Sequence, residues 1–200
     1  TDQGKTDRYL THAREDLDRL GAMVDDLLST RRLTHEGVAI EPEVLDLSDL
    51  VRHAIDRSHP PQGATIELQA DEPARVRVDA GALEKVVENL VGNAIKYGGE
   101  TPHVTVSVAT VGNRARLEVR DRGLGLRGTD PQRVFEPFVR GRDENVRTQP
   151  GAGLGLFVVR EFVRAHGGEV ELEEAEDGGV IARVWLDVVS EAGVGAGAAS

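Results

Sequence analysis

The chain has 200 residues, 39% hydrophobic and 30% charged, which suits one good-sized globular domain with an appendage rather than a disordered polymer. A formal net charge of −11 excludes a nucleic-acid partner held by a general basic surface, so any phosphate site must be local. With no cysteine there is neither a disulfide nor a thiolate metal site, and no run of about 18 apolar residues appears that could span a membrane.

The chain opens on Thr1 without a signal-peptide pattern and reads as a fragment of something longer. From Leu10 an apolar series runs through Ala13, Leu17, Leu20, Val24 and Leu27, in steps of 3, 4, 3, 4 and 3. This heptad seam makes residues 1–34 a long helix, read as half of a helical hairpin whose partner helix or partner subunit shares the seam. A helix packed on the following domain is the alternative. Residues 35–43, with Gly, Pro and alternating charge, read as a linker.

From residue 44 to 189 short strands and helices alternate. "EVLDLS" predicts a strand and "LSDLVRHAIDRS" a helix capped by Ser48. "ATIELQA" and "ARVRVDA" alternate at period two, as strands do, and a helix follows over about Ala80–Tyr97. "HVTVSVATV" and "RARLEVRDR" join through Gly112-Asn113, a hairpin signal. After a stretch rich in Gly, Pro and charge comes a helix over about Leu154–His166, with His166 a structural helix-ending residue. The last strands, "GEVELEEAE" and "GVIARVWLDV", turn at Asp177-Gly178-Gly179, and residues 190–200 form a disordered tail. Mostly antiparallel pairs with helices between blocks predict an α/β two-layer sandwich: one mixed, mostly antiparallel sheet covered by helices on one face.

Four segments carry chemistry: "NLVGN" (89–93), "DRGLG" (121–125), "VFEPFVRG" (134–141) and "GAGLGL" (151–156). Taken singly each has an ordinary explanation: a solvated polar stripe or a core amide, a turn aspartate, core phenylalanines, chance glycines. Asn89, Asn93 and Lys96 nevertheless share one face of a helix.

In order and spacing the four resemble the N box, first glycine box, F box and second glycine box of the ATP-binding domain of sensor histidine kinases. Their wider superfamily includes type II topoisomerases, mismatch-repair ATPases and a heat-shock chaperone. "VDDLLSTRRL" also resembles the end of the second helix of the kinases' dimerisation hairpin. The resemblance implies a Bergerat-type ATP-binding fold with Mg²⁺ and ATP as cofactors. It makes Asn89, Asn93 and Lys96 the catalytic residues, with Asn93 the magnesium ligand through its amide oxygen. It places nucleotide contacts at Asn89, Asn93, Lys96, Tyr97, Asp121, Gly123, Gly125, Leu126, Phe135, Arg140, Arg147, Gly151, Gly153, Leu154 and Gly155. Asp121 would accept from the exocyclic amine of adenine and repel the carbonyl of guanine. Gly123 and Gly125 would let the backbone pass close to the ring, and residues 127–150 would form a lid anchored by Phe135 and Phe138. Arg140, Arg142 and Arg147 are its candidate phosphate contacts, at least one of them being read as solvated instead.

Hydrolytic relatives carry a glutamate base where Asn89 stands. An amide cannot take that proton, so ATP is expected to be held rather than rapidly hydrolysed. None of the six histidines lies in the family's acceptor motif of the H-E-x-x-T-P kind; His35 alone precedes a glutamate, without the Thr-Pro. The acceptor and any membrane sensor are expected upstream of Thr1. The implied partners are a second copy, paired through the N-terminal helix, and a response-regulator receiver domain. The implied location is the cytoplasmic side of a bacterial inner-membrane sensor, with membrane contact only through segments absent from this chain. An ATP hydrolase of the same superfamily, a degenerate nucleotide-responsive module and a serine kinase that inhibits a sigma factor are the competing readings.

Overall fold

The computed structural model describes residues 39–70, 72–139 and 153–189. The expectations for residues 1–34 and 190–200, and for Arg140, Arg142, Arg147 and Gly151, lie outside the described residues.

Strand β1 (Glu43–Asp46) runs without a loop into helix α1 (Leu47–Asp56). The cap is Asp46 and not Ser48 as expected: the Asp46 carboxylate accepts from the N–H of Ser48 at 2.8 Å and from that of Ala74 at 3.3 Å. A carboxylate just outside the first turn satisfies an otherwise orphan amide. Ser48 itself is buried in the helix, and its hydroxyl donates to the carbonyl of Glu72 at 2.8 Å. The expected strand over 43–48 is shorter by these two residues for that reason.

Strands β2 (Thr65–Gln69) and β3 (Arg75–Val78) precede helix α2 (Ala80–Tyr97), whose bounds match the periodicity. Asp79 caps α2, accepting from Ala82 N–H and, through its other oxygen, from Glu41 N–H, both at 2.9 Å. The N–H of Asp79 donates to Nε2 of His166 at 2.9 Å, while Nδ1 of His166 donates to the Phe162 carbonyl at 2.6 Å. His166 is therefore structural, as read from the sequence, and the pair of contacts sets its tautomer.

Strands β4 (His103–Val111) and β5 (Arg114–Asp121) form the expected hairpin. A 3₁₀ turn (Arg133–Phe135), helix α3 (Gly155–Ala165) and strands β6 (Glu169–Glu174) and β7 (Val180–Asp187) complete the order. The main sheet has five strands in the order β2-β4-β5-β7-β6, with β2 parallel to β4 and the rest antiparallel. Where one sheet was expected there are two, because β1 and β3 pair only with each other. The N–H of Leu47 donates to the Ala74 carbonyl at 2.8 Å, so the β1–α1 corner is pinned to the start of β3. A single bridge between Val76 and Val188 ties this ribbon to the main sheet.

One face of the main sheet is apolar: Val104 and Val106 of β4, Leu117 and Val119 of β5, and Val184 and Leu186 of β7 are all buried. Helix α2 covers it with Leu83, Val86, Val87, Leu90, Val91 and Ala94, each no more than 4% exposed. Burying a Val or Leu side chain stabilises by roughly 1.5–3 kcal/mol, so this helix is held by its inner stripe. The outer face of the sheet is charged, with Arg183 bonded to Glu118 at 2.8 Å and to Glu173 at 2.6 Å. The polar stripe of α2, from Asn89 to Tyr97, is left at the edge of the covering layer. No helix among the described residues is long and apolar enough to cross a membrane.

Candidate functional site

An open cleft lies between α2, the end of β5, the start of β7 and the loop that follows β5. Its walls are mostly apolar: Leu90, Ala94, Val119, Leu126, Leu156 and Ala182. Asn93 and Tyr97 enter from α2, and Asp121 from the last position of β5.

Asp121 is 5% exposed, one of three buried polar residues among those described. Burial pushes its carboxyl above the ordinary aspartate value, while hydrogen bonds from the backbone N–H groups of Gly123 and Val180 pull the other way. The Gly123 bond is 2.8 Å long. A buried acceptor in an apolar cleft is a specificity device, because a ligand that cannot donate to it leaves it unpaired.

The glycines around it serve close approach. A Cβ at Gly123 would lie 1.9 Å from the carbonyl oxygen of Tyr97, so this glycine packs on the end of α2; the expected approach to a ligand ring is not what requires it. The adjoining Leu124 N–H donates to that same carbonyl at 3.1 Å. Gly125 has φ +70, a conformation that disfavours any side chain. Gly179, in the turn before β7, would carry a Cβ 2.1 Å from the Asp121 carbonyl. The sequence reading treated that residue only as part of a turn.

Helix α3 opens beside the same stripe of α2. Its N-cap, Leu154, provides no side-chain cap, and a Cβ on Gly155 would lie 2.5 Å from Asn89 Oδ1 and 3.9 Å from Asn93 Nδ2. The positive end of a helix dipole without a side-chain cap, with two side-chain amides close to its first residue, forms a setting for an anion. Asn89 is oriented by its own helix, its Nδ2 donating to the Lys85 carbonyl at 2.8 Å. Lys96 does not line the cleft wall; its Nζ stands over the Tyr97 ring, 4.7 Å from the centroid.

The loop after β5 is held from outside. Glu174, the last residue of β6, accepts from Leu126 N–H at 2.8 Å and Arg127 N–H at 3.2 Å. Neither Glu174 nor Thr129, a buried threonine in the cleft wall, was singled out from sequence, since nothing in their spacing marks them. Phe135 is 3% exposed and anchors the 3₁₀ turn, but Phe138 is 61% exposed and does not serve as the expected second anchor. Its backbone is what engages: at φ 63, it donates its N–H to the Gly153 carbonyl at 3.0 Å. Gly153 has φ +75, and Leu154 beside it is buried.

A model of the family described as "Histidine kinase-, DNA gyrase B-, and HSP90-like ATPase" matches residues 78–190. The chain belongs to this ATPase family. Sensor protein KdpD of Escherichia coli (strain K12) is 32% identical over 180 residues, covering 90% of this chain and 20% of KdpD. Sensor-like histidine kinase SenX3 of Mycobacterium tuberculosis (strain ATCC 25618 / H37Rv) is 34% identical over 170 residues, covering 82% of this chain and 41% of SenX3. Among solved structures, full-length ShkA in complex with AMPPNP superposes with a TM-score of 0.76 at 27% identity, over 92% of this chain and 39% of ShkA. The chain thus spans between 20% and 41% of the length of these relatives. Within the ATPase family its likeness is to the ATP-binding domain of sensor histidine kinases, and both the expected α/β fold and the expected family hold.

Proposed function

We propose that this chain binds Mg-ATP and donates the γ-phosphoryl to a histidine outside itself, as the catalytic part of a two-component sensor kinase. The observation that carries the reading is the buried Asp121 carboxylate in a cleft walled by Asn93 and Tyr97, with the uncapped start of α3 against the same helix. Residues 44–189 are the ATP-binding domain in this reading. Residues 1–34 are part of the dimerisation hairpin, 35–43 the linker, and 190–200 a tail. The partners are a second copy and a receiver domain, and the domain works on the cytoplasmic side of a membrane-bound sensor.

Asp121 accepts from the adenine amine, and Tyr97 and Leu126 flank the base. The opening turn of α3, with Gly153, Leu154 and Gly155, offers N–H groups to the phosphates. Lys96 swings from the Tyr97 ring to add positive charge, a short move for a flexible side chain. Among the described residues no three His, Asp or Glu side chains cluster as metal ligands. A cation here would be held by the Asn93 amide oxygen, the nucleotide's own oxygens and water, since Mg²⁺ takes oxygen ligands and usually shares substrate phosphates. When bound, it neutralises charge on the phosphates. Transfer breaks the bond between the γ-phosphorus and its bridging oxygen and forms one to the acceptor nitrogen, leaving ADP. Positioning and charge neutralisation are most of what the protein supplies. Asn89 offers no base for water, which is why the hydrolase reading is the weaker one. The AMPPNP held by ShkA, on a related fold, supports a triphosphate ligand.

The test is incubation with γ-labelled ATP, alone and with a separate helical hairpin bearing an acceptor histidine. Alone, the chain should bind ATP, release phosphate slowly and stay unlabelled; with the hairpin, the label should appear slowly on the hairpin. Self-labelling at any of the six histidines would overturn the reading, and fast phosphate release would favour a hydrolase. In parallel, Asn93→Asp should change the magnesium dependence of binding with little effect on melting.

A further inference from the structure

The loop from Gly123 to Thr129 carries three left-handed residues within four positions: Gly125 at φ +70, Arg127 at φ 50 and Gly128 at φ +71. Arg127 is not a glycine, and a side-chain-bearing residue in this region costs energy that its surroundings must offset. Local bonds supply part of the support: Arg127 Nε donates to the Leu124 carbonyl at 2.7 Å, and Thr129 N–H to the Leu126 carbonyl at 2.9 Å. Further support comes from 48 residues away. Glu174 Oε1 accepts from the N–H groups of both Leu126 and Arg127, at 2.8 and 3.2 Å. That same oxygen is 3.0 Å from where a Cβ on Gly125 would sit, so the carboxylate is seated against the turn itself.

The consequence reaches the cleft because Gly125, Leu126 and Thr129 line it. Glu174 ends β6, the strand paired with β7, and β7 also contributes Val180 and Ala182 to the cleft lining. One carboxylate therefore ties the cleft-lining loop to the edge of the sheet that lines the same cleft. We propose that Glu174 is a positioning residue for the nucleotide: it holds the glycine loop in its strained, ligand-ready shape without touching the ligand. The proposal rests on the nucleotide-binding reading of the cleft.

Because Glu174 acts on the base-binding loop and not at the start of α3, its loss should weaken ADP and ATP by the same factor. Glu174→Ala should raise both dissociation constants about tenfold, in line with the loss of two charged hydrogen bonds that organise the site. Glutamine keeps an oxygen in place for both N–H groups, so Glu174→Gln should recover most of that affinity. The side chain is exposed, so melting should shift little in either variant, while amide exchange at Leu126 and Arg127 should speed up in the alanine variant alone. Calorimetric titration with ADP and with ATP, plus hydrogen exchange, reads all of this. An alanine variant that binds as the parent does would overturn the proposal, as would a glutamine variant no better than alanine. So would a loss confined to ATP, which would locate the effect at the phosphates. A parent chain that binds neither nucleotide would instead defeat the reading of the cleft itself.

Discussion

Gly155 and Asn89 meet with no room for a further atom: a Cβ on the glycine would lie 2.5 Å from the Asn89 amide oxygen. The contact joins the first residue of α3 to the polar stripe of α2, and it explains why the smallest residue opens that helix. Gly155→Ala would not strain the backbone, since the residue is helical, and alanine is the better helix former. The strain falls on Asn89, whose amide must turn away and give up its bond to the Lys85 carbonyl. The expected result is little change in melting, because the better helix former offsets the displaced amide, with nucleotide binding weakened because Asn89 is turned out of its place beside the start of α3. If calorimetry finds parental affinity, Asn89 and the start of α3 do not meet the ligand.

Asp121 makes a second, pH-dependent prediction. Its burial raises the carboxyl above the ordinary aspartate value of 3.8, and only the ionised form accepts from an adenine amine with full strength. Binding should therefore fall as pH drops through this raised value, at a higher pH than an ordinary aspartate would give. For stability the sign reverses: the folded chain takes up this proton more readily than the unfolded one, so the ionised carboxylate costs stability as pH rises through the window above 3.8. Asp121→Asn should weaken ATP binding by about 1–3 kcal/mol and flatten that pH dependence. Equal affinity of the parent for ATP and GTP would refute the adenine-reading role.

Much of this was legible because it was local. Helix α2 announces itself through the spacing of Leu83, Val86, Val87, Leu90 and Val91, and the β4–β5 hairpin through Gly112-Asn113. What stayed hidden was pairing at a distance. Alternation marks β2 and β3 as strands but cannot say that β2 runs parallel to β4 while β3 turns away to β1. The cap of α1 was misread because Asp46 and Ser48 are both good caps, and the choice was made by Ala74, 28 residues downstream of Asp46. In the cleft, the positions of Asn93, Asp121 and Gly125 were singled out by motif order. Glu174 and Gly179 were not, since each acts through a backbone contact with a partner far away in sequence.

Asp79 is where the segment before β1, the start of α2 and the end of α3 are fastened together. Hydrogen bonds from Glu41 and then Ala82 lower its carboxyl below 3.8. The stabilisation is therefore fully present above 3.8 and lost as pH falls through the lower folded value. Asp79→Ala should cost about 1 kcal/mol, the typical loss of an N-cap, at neutral pH and less in acid, once pH has fallen through the lowered folded value. Urea unfolding at neutral and at acid pH checks it, and an equal loss at both would mean that packing, not the carboxylate's hydrogen bonds, is what the aspartate supplies.

Thr129 gives the last prediction, and its sign is unusual for a core substitution. The residue is 9% exposed in the cleft wall, and its hydroxyl has no hydrogen-bond partner among the described residues. Its backbone N–H is satisfied by the Leu126 carbonyl, so only the side-chain oxygen is orphaned. Its wall neighbours Leu126, Val134 and Val139 are apolar. A buried, unpaired hydroxyl costs about 1–3 kcal/mol, and valine has the same shape without it. Thr129→Val should therefore stabilise the unliganded chain by about 1 kcal/mol, a rise in melting temperature of about 2–4 °C for a domain of this size. Differential scanning calorimetry in the absence of nucleotide measures it. A lower melting temperature would show that the hydroxyl is engaged in the free protein after all.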